Sequence, residues 1–387
     1  MNNQFKSLIY NFGYTFFANA VSLVVSGLLT IFVPKIYGAD AYGYWQLYIF
    51  YASYIGFFHF GIQDGIYLRY GGKNYDKLDK QIMHSQFVVI CVLELLIGGC
   101  IFLNSYLGKI DENRKFIFDI LALNLLFYLP NTLLQYILLA TNRIKESSII
   151  ILVEKFVYGS IAAICLLQDN DNFRLLLLAD LCGKIISLVC CLFICKDIVF
   201  AKTIPILSVL KELYLNFRAG ISLLCANIAS LLITGVVKYA IQENWSIAIF
   251  GMVSLPLNLC NFFLTFVIAI GQVIFPLLKT IRVDRLSMVY RTMDNFILAF
   301  LFGLMSLFPV AKLLFQIWLP NYSTSFDYLV ILLPICIYES KSNMLLATFF
   351  KALRMEKKML GINILLVVFS LIYVTVSVEI LNNLVIT

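Results

Sequence analysis

The sequence predicts an all-α, polytopic membrane protein, and three observations support this prediction. Hydrophobic residues make up 61% of the chain, and its mean hydropathy is +0.90. These residues are gathered into about eleven long apolar stretches separated by short hydrophilic connectors. Most of the Lys and Arg residues lie in every second connector. The chain is therefore expected to bury its apolar surface against lipid and against itself.

The apolar stretches have the length of membrane-spanning helices, which need about 20 residues. Lipid offers no water to unpaired backbone groups, so a spanning segment of this length is a helix. The short alternating strands of a β-barrel are not seen in the sequence. The predicted spans are 8–34, 42–62, 84–106, 116–140, 148–167, 173–195, 216–242, 247–276, 288–311, 325–349 and 359–381.

The distribution of basic residues predicts the orientation of these spans. Nineteen Lys and Arg residues lie in one set of connectors and six in the other, and the richer set is the cytoplasmic one. The N-terminus belongs to the cytoplasmic set, and the first span has no cleavage site of the kind that follows a signal peptide. The net charge of +7 is thus a topology signal, and no nucleic-acid partner is expected. The poorer set is Lys35, Lys109, Arg114, Lys115, Arg174 and Lys312.

A shift of 208 residues aligns the start of the chain with its middle. Ala18-Asn19 falls on Ala226-Asn227, Gly27 on Gly235, and Tyr42-Gly43 on Phe250-Gly251. Chance matches among apolar helices are the alternative. An even number of intervening spans keeps the two copies in the same orientation, which makes this a parallel repeat. We therefore expect two pseudo-symmetric helical bundles, 1–200 and 201–387. The second bundle has five predicted helices, one fewer than the first, so the chain has about eleven spans where the full fold is expected to have twelve or more.

Charged residues inside the predicted spans are the candidate functional residues, because a charge at membrane depth is costly. Lys155, Lys184, Lys238 and Lys341 are candidate cavity cations, and Arg69 lies at the cytoplasmic mouth of the second span. The candidate ion-coupling carboxylates are Glu94, Glu154, Asp180 and Glu339.

Each candidate also has a structural interpretation. Asp180 and Lys184 are four residues apart on one helix and can neutralise each other. Glu154 and Lys155 are adjacent, and neighbours on a helix point about 100° apart, so we expect no simple pair. Lys238 can extend its ammonium to the external interface, and Arg69 can meet lipid head groups.

No catalytic, metal or cofactor site is predicted. All ten cysteines fall within predicted spans. Cys191 and Cys195 are one helical turn apart, but the two histidines, His59 and His84, offer no obvious further ligands, so packing is the better interpretation. The chain contains no Gly-rich loop followed by Lys and Ser or Thr, so ATP is not expected to drive it directly.

Several short motifs, in this order along the chain, resemble one transporter family. They are Asn11, Gly13 and Asn19 in the first helix, Tyr37–Gly43 in the first external turn, Gly61–Arg69, Gln272–Pro276, Trp318–Tyr322 and Lys351–Arg354. Through them nearly the whole chain resembles the Wzx-type flippases for O-antigen and capsule repeat units. These proteins form the polysaccharide branch of the multidrug/oligosaccharidyl-lipid/polysaccharide (MOP) exporter superfamily.

The resemblance implies a two-lobed fold that moves an undecaprenyl-diphosphate-linked glycan across the bacterial inner membrane by alternating access. It also implies a cationic cavity that receives the diphosphate, with Arg69 at its mouth. Polysaccharide polymerase and chain-length proteins are the protein partners that it suggests, besides membrane lipid. The chain departs from the family at Gly235–Lys238, where the family often has Asp-Arg, and between Lys6 and Lys35, which contains no basic residue.

Two other functions are alternatives to a flippase. An ion-coupled exporter of drugs or small molecules in the same superfamily would use Glu94, Glu154 or Asp180 for coupling. An enzyme that polymerises or ligates glycans would need a large external loop, and the external connectors are short. The sequence therefore favours a transporter over an enzyme.

The predicted orientation can be tested by cysteine labelling from outside the cell. Lys109→Cys should react with a membrane-impermeant maleimide in intact cells, because the connector that contains Lys109 is external. Lys77→Cys should react only after permeabilisation. The unsubstituted chain is the control, and the opposite labelling pattern would overturn the orientation.

Overall fold

The computed structural model describes residues 3–168, 172–278, 285–306, 308–346, 349–350, 353 and 355–378. Over these residues the secondary structure is helical, and no strand occurs. The all-α, multi-pass membrane class predicted from the sequence is confirmed.

Fourteen α-helices are described, and four shorter helical turns interrupt or connect them. The turns are 3₁₀ segments at Gly56–His59, Tyr75–Lys77 and Pro320–Tyr322 and a π-helical segment at Lys341–Leu346. The helices are α1 Asn3–Ile36, α2 Ala39–Ile55, α3 Ile62–Tyr70, α4 Lys80–Leu107, α5 Glu112–Ala140, α6 Ile144–Leu167, α7 Phe173–Ile194, α8 Lys196–Val199, α9 Ile206–Asn244, α10 Ile247–Leu278, α11 Leu286–Ser306, α12 Phe308–Trp318, α13 Ser323–Ser340 and α14 Glu356–Val376.

Seven helices among the described residues are long and apolar enough to cross a membrane, and the bent pair α11–α12 makes an eighth if it is one span. The other three predicted spans differ in identifiable ways. Span 42–62 is broken by the turn at Gly56–His59, and span 325–349 passes into the π-helical segment after Ser340. Span 247–276 lies within α10, where side chains from 265 onward are outside the described residues.

The chain divides into two compact units. The first comprises residues 1–29 and 44–228, and the second comprises residues 30–43 and 229–387. The long helices α1 and α9 each contribute to both units, because the division falls within them.

The first unit is built around α5, which contacts α3, α4, α6 and α7. Its core is apolar: Leu133, Leu134, Ile137 and Leu138 of α5 are at most 1% exposed. Cys191 and Cys195 lie in the same cluster, as the packing interpretation of these cysteines expects. A helix surrounded on several sides has little lipid-facing surface, which explains why α5 is the most buried of the candidate spans.

Capping residues fix where the helices of the first unit begin. Asp79 accepts hydrogen bonds from the backbone N–H groups of Gln81 and Ile82 at the start of α4. Asp111 does the same for Arg114 at the start of α5, and Asn172 for Arg174 at the start of α7. Asp and Asn are preferred at this position because their side chains satisfy backbone donors that have no partner within the helix.

The second predicted span is broken between α2 and α3. Phe60 and Gly61 both have left-handed backbone angles, with φ of 50° and 77°. Such a conformation ends a helix, and only glycine adopts it without cost. His59 Nδ1 accepts a hydrogen bond from the Gly61 N–H group at 2.9 Å, which holds the break in place.

Glycines allow α3 and α9 to pack backbone against backbone within the first unit. A Cβ atom added to Gly65 would collide with the Asn216 carbonyl, and one added to Gly220 would collide with the Gly61 carbonyl. This close approach sets the position of the polar residues that follow on both helices.

The second unit joins two turns that the sequence placed on the external side. Tyr42 packs edge-on against Tyr322, with ring centroids 5.6 Å apart. Lys35 Nζ donates to the Trp318 carbonyl at 2.7 Å and lies over the Trp318 indole. The motifs Tyr37–Gly43 and Trp318–Tyr322 therefore form one packed cluster.

The matched glycines of the proposed repeat also meet in the second unit. The Gly43 Cα atom is 3.0 Å from the position where a Cβ atom would stand on Gly251. The division into bundles 1–200 and 201–387 stays a prediction.

Three features named from the sequence lie outside the described residues. The side chains of Gln272–Pro276 are among them, as are Lys351 and Arg354 and the last residues, 379–381, of the final predicted span.

The packing of α3 on α9 predicts a sharp difference between two glycine substitutions. Gly65→Ala should cost about 1–3 kcal/mol of stability, because backbone atoms of Asn216 would have to move. Gly99→Ala in α4 meets nothing within 4 Å and should be neutral or slightly stabilising. Thermal unfolding in detergent measures both, and equal midpoints for the two variants would contradict the close approach.

Candidate functional site

Four of the nine charged residues singled out from the sequence gather in the interior of the first unit. Lys184 Nζ is 2.7 Å from Asp180 Oδ2 on α7, and Lys155 Nζ is 2.7 Å from Glu154 Oε1 on α6. Helices α6 and α7 pack closely against each other. Two positive and two negative charges thus lie on adjoining helices, and together they are neutral.

Two further helices complete this cluster through uncharged side chains. The Tyr48 hydroxyl of α2 donates to Asp180 Oδ2. Asn124 Nδ2 of α5 donates to the Tyr48 hydroxyl at 2.6 Å and approaches Asp180 Oδ2 at 3.4 Å. Lys184 Nζ is 5.3 Å from the centroid of the Tyr128 ring. We call Tyr48, Asn124, Glu154, Lys155, Asp180 and Lys184 the charge cluster.

The expectation that Glu154 and Lys155 make no simple pair is wrong. Adjacent side chains leave a helix in different directions, but both of these stems are long enough to curve back toward each other. Glu154 is 7% exposed, so the contact supplies its buried carboxylate with a counter-charge. The local pair predicted between Asp180 and Lys184 is present.

Arg69 is engaged by polar partners on α9 and is not an isolated cation. Its guanidinium Nη2 is 3.0 Å from Glu212 Oε2, and Nη1 donates to Asn216 Oδ1. The Asn216 amide in turn donates to Gln86 Oε1 at 2.6 Å. Arg69 therefore links α3 to α9 within the first unit.

The second unit contains one paired and one unpaired lysine among the candidates. Lys341 Nζ is 2.9 Å from Asp294 Oδ1. Lys238 of α9 forms no ion pair with any residue that the structure describes. Glu339 likewise has no basic partner within the described part of the chain.

Glu94 of α4 is the most isolated carboxylate of the first unit. It is 1% exposed, and neither of its side-chain oxygens has a hydrogen-bond partner. A buried charge without a partner is strongly disfavoured, so this group is expected to hold a proton or to meet a cation.

A polar cavity beside the break in the second span was not foreseen. It has a volume of about 200 Å³ and is lined by His59 and Asp64, among others. Tyr128 lines it too, and the same ring faces Lys184 in the charge cluster. The signal in the sequence was a pair of glycines, Gly61 and Gly65, on either side of a polar Gln63-Asp64 step.

A second polar network lies in the connectors predicted to be cytoplasmic. Tyr75 donates to Asp197 Oδ1 at 2.8 Å, and Lys80 Nζ is 3.0 Å from Asp197 Oδ2. Burial by itself raises the pKa of Asp197, but the Tyr75 hydrogen bond and the Lys80 charge outweigh it, and the pKa is lowered. A carboxylate with a lowered pKa stabilises the fold at neutral pH and loses this effect as the pH falls through that pKa.

Comparison with known proteins identifies the fold. No family model matches the chain, and no curated protein matches it. A solved structure of the lipid II flippase MurJ in an inward closed conformation is similar, with a TM-score of 0.61 at 13% identity over 96% of this chain and 87% of that one.

Two solved MATE transporters are similar as well. One, in complex with MaL6, has a TM-score of 0.56 at 14% identity over 95% of this chain and 88% of that one. The other, an inward-facing multidrug resistance transporter of the MOP superfamily, has a TM-score of 0.53 at 12% identity over 94% and 98%. The chain therefore has the fold of MOP-superfamily transporters and is a multi-pass membrane protein.

The charge cluster predicts a non-additive response to mutation. Asp180→Ala leaves the buried Lys184 without its counter-charge and should cost about 3–5 kcal/mol. The double variant Asp180→Leu with Lys184→Met removes both charges and should recover most of that loss. Thermal unfolding in detergent gives all three stabilities.

The exposed pair between Arg174 and Glu112 provides the control. The Glu112 side chain is 84% exposed, so Glu112→Ala should cost at most about 1 kcal/mol. A double variant less stable than Asp180→Ala would show that the two residues do not act as a pair.

Proposed function

We propose that the protein is a flippase that moves an undecaprenyl-diphosphate-linked oligosaccharide across the bacterial inner membrane by alternating access. The observation that supports this most is the state of Lys238, a cation in a predicted span with no acidic partner among the described residues. A substrate that carries a diphosphate supplies the missing negative charge.

Most candidate cations in the predicted spans are already paired with a carboxylate. Arg69, Lys155, Lys184 and Lys341 each have a carboxylate within 3.0 Å, so none of them offers an uncompensated charge to a substrate in this conformation. Lys238 has no such carboxylate among the described residues, so its positive charge can pair with a negatively charged substrate. The list of five candidate cavity cations thus reduces to one strong candidate for the diphosphate.

A fold of this kind suits the transfer of a polar head group across a membrane. The head group of a lipid-linked sugar is too polar to cross hydrocarbon unaided, and its removal from water must be offset by polar contacts. A cavity open to the membrane at its side supplies such contacts while the lipid tail stays in the bilayer. In the proposal, the two bundles 1–200 and 201–387 alternate in their access to the two leaflets.

The structural comparisons support a transporter of this kind through the fold alone. One similar protein is named for flipping lipid II, and another for multidrug resistance. The substrate proposed for this chain therefore follows from its own charges. We extend the proposal to an O-antigen or capsule repeat unit, to cooperation with polysaccharide polymerase and chain-length proteins, and to a cytoplasmic N-terminus.

Glu94 favours a second candidate, an ion-coupled exporter of small molecules. A carboxylate with 1% exposure and two unpartnered oxygens suits a group that takes up and releases a proton or cation during transport. The same property also suits a flippase driven by an ion gradient, so the two candidates differ in their substrate.

Variants of Lys238 test the proposal in reconstituted vesicles. Lys238→Ala should lower the rate of flipping of a fluorescent undecaprenyl-diphosphate oligosaccharide roughly tenfold or more, the loss expected when about 1.4 kcal/mol of binding is removed. Lys238→Arg keeps the charge and should retain most of the activity. Efflux of a cationic dye is measured on the same vesicles.

Lys202→Ala is the matched control, because Lys202 is an exposed lysine in a connector that is predicted to be cytoplasmic. It should flip the lipid at the rate of the unsubstituted protein. Transport of the dye but not of the lipid would overturn the proposal in favour of the exporter, and full activity of Lys238→Ala would remove Lys238 from the site.

A further inference from the structure

The cavity beside the break in the second span is lined wholly by residues of the first unit and surrounds a buried carboxylate, Asp64. Its volume is about 200 Å³, enough for an ion and a few waters. Side chains from α2, the break, α3, α5 and α9 line it. The polar ones used below are Ser53, His59, Gln63, Asp64, Thr132 and Asn227.

Three of these side chains already donate a hydrogen bond to a backbone carbonyl. Ser53 Oγ donates to the Phe50 carbonyl at 2.7 Å, and Thr132 Oγ1 donates to the Leu129 carbonyl at 3.0 Å. Gln63 Nε2 donates to the same Leu129 carbonyl at 3.1 Å. The two hydroxyls therefore have only oxygen lone pairs left to offer, because a hydroxyl has one hydrogen and two lone pairs, and Gln63 keeps its amide oxygen and one N–H hydrogen.

His59 supplies one N–H group toward the carboxylate in the cavity. Its Nδ1 accepts from the Gly61 N–H group, so the hydrogen of the neutral ring sits on Nε2. That nitrogen is 3.8 Å from Asp64 Oδ2, which is longer than a hydrogen bond. Asp64 is 4% exposed, and its Oδ2 has no hydrogen-bond partner.

From this geometry we propose that the cavity is a binding site for a monovalent cation, namely Na⁺, held on the Asp64 carboxylate. Hydroxyl and amide oxygens of Ser53, Thr132, Gln63 and Asn227 provide the neutral ligands. Hard cations prefer oxygen ligands of this kind. One carboxylate balances one positive charge, whereas a divalent ion would leave a buried excess of charge.

The place of the site in the fold gives the ion a structural role. Asp64 and Gln63 lie on α3, Thr132 on α5 and Asn227 on α9. A bound ion therefore ties the broken span to two neighbouring helices, in the way that interrupted membrane helices form ion sites. The inference concerns an ion and does not depend on which substrate the protein moves.

Ion-dependent stability tests the site in the full-length protein. Unfolding midpoints in detergent are measured in NaCl, KCl and choline chloride at equal ionic strength, and ²³Na NMR measures binding directly. Na⁺ should raise the midpoint relative to choline, and ²³Na NMR should detect its binding. A midpoint that is the same in all three salts would overturn the proposal.

Two variants and a control assign the binding to Asp64. Asp64→Asn should abolish the dependence on Na⁺, and Thr132→Val, which removes one neutral oxygen, should weaken it roughly tenfold. Asp76→Asn changes an exposed aspartate in a connector and should leave it intact. If Asp64→Asn does not fold, Thr132→Val still decides the matter, since unchanged Na⁺ binding in Thr132→Val would contradict the site. The Na⁺ measurements do not depend on lipid flipping, so failure of the flippase proposal in the Lys238 assay would leave the ion site standing.

Discussion

A charge placed at the depth of a membrane costs about 2.5–3.5 kcal/mol on insertion scales unless a partner or water compensates it, and this constraint organises the polar residues of the protein. Within the first unit, Glu154 with Lys155 and Asp180 with Lys184 neutralise each other, and Tyr48 and Asn124 supply hydrogen bonds to Asp180. Breaking such a buried pair is far more costly than never having made it. The charge cluster therefore stabilises the fold of the first unit.

Apart from these ion pairs, few charged side chains within the described parts of the predicted spans lack a partner of opposite charge. Those that do are of both signs. Lys238 is positive, whereas Glu94 and Glu339 are negative and Asp64 has one oxygen without a hydrogen bond. A cation and several carboxylates in this state suit a transporter of an anionic substrate that also binds cations. The glycine contacts between α3 and α9 bring Asp64 next to the cavity and Arg69 next to Glu212. The polar contacts of α3 therefore depend on its close packing against α9.

Much of the fold could be predicted from the sequence, because the physics involved is local. Apolar stretches of about 20 residues identify membrane helices wherever they occur, and a spacing of four predicts the pair of Asp180 with Lys184. Partners that are distant along the chain could not be predicted in this way. Tyr48 with Asp180, Arg69 with Glu212 and Asp294 with Lys341 are set by tertiary packing. The break at Phe60 was also missed, since an apolar run looks continuous even where one residue turns left-handed.

A structure of the unsubstituted protein with the lipid-linked glycan bound shows most directly whether Lys238 receives the diphosphate. Electron cryomicroscopy in lipid nanodiscs provides it. We expect phosphate density within about 4 Å of Lys238 Nζ, the distance of an ion pair. Phosphate density at the charge cluster instead, with Asp180 and Lys184 separated and Lys238 facing acyl chains, would contradict it.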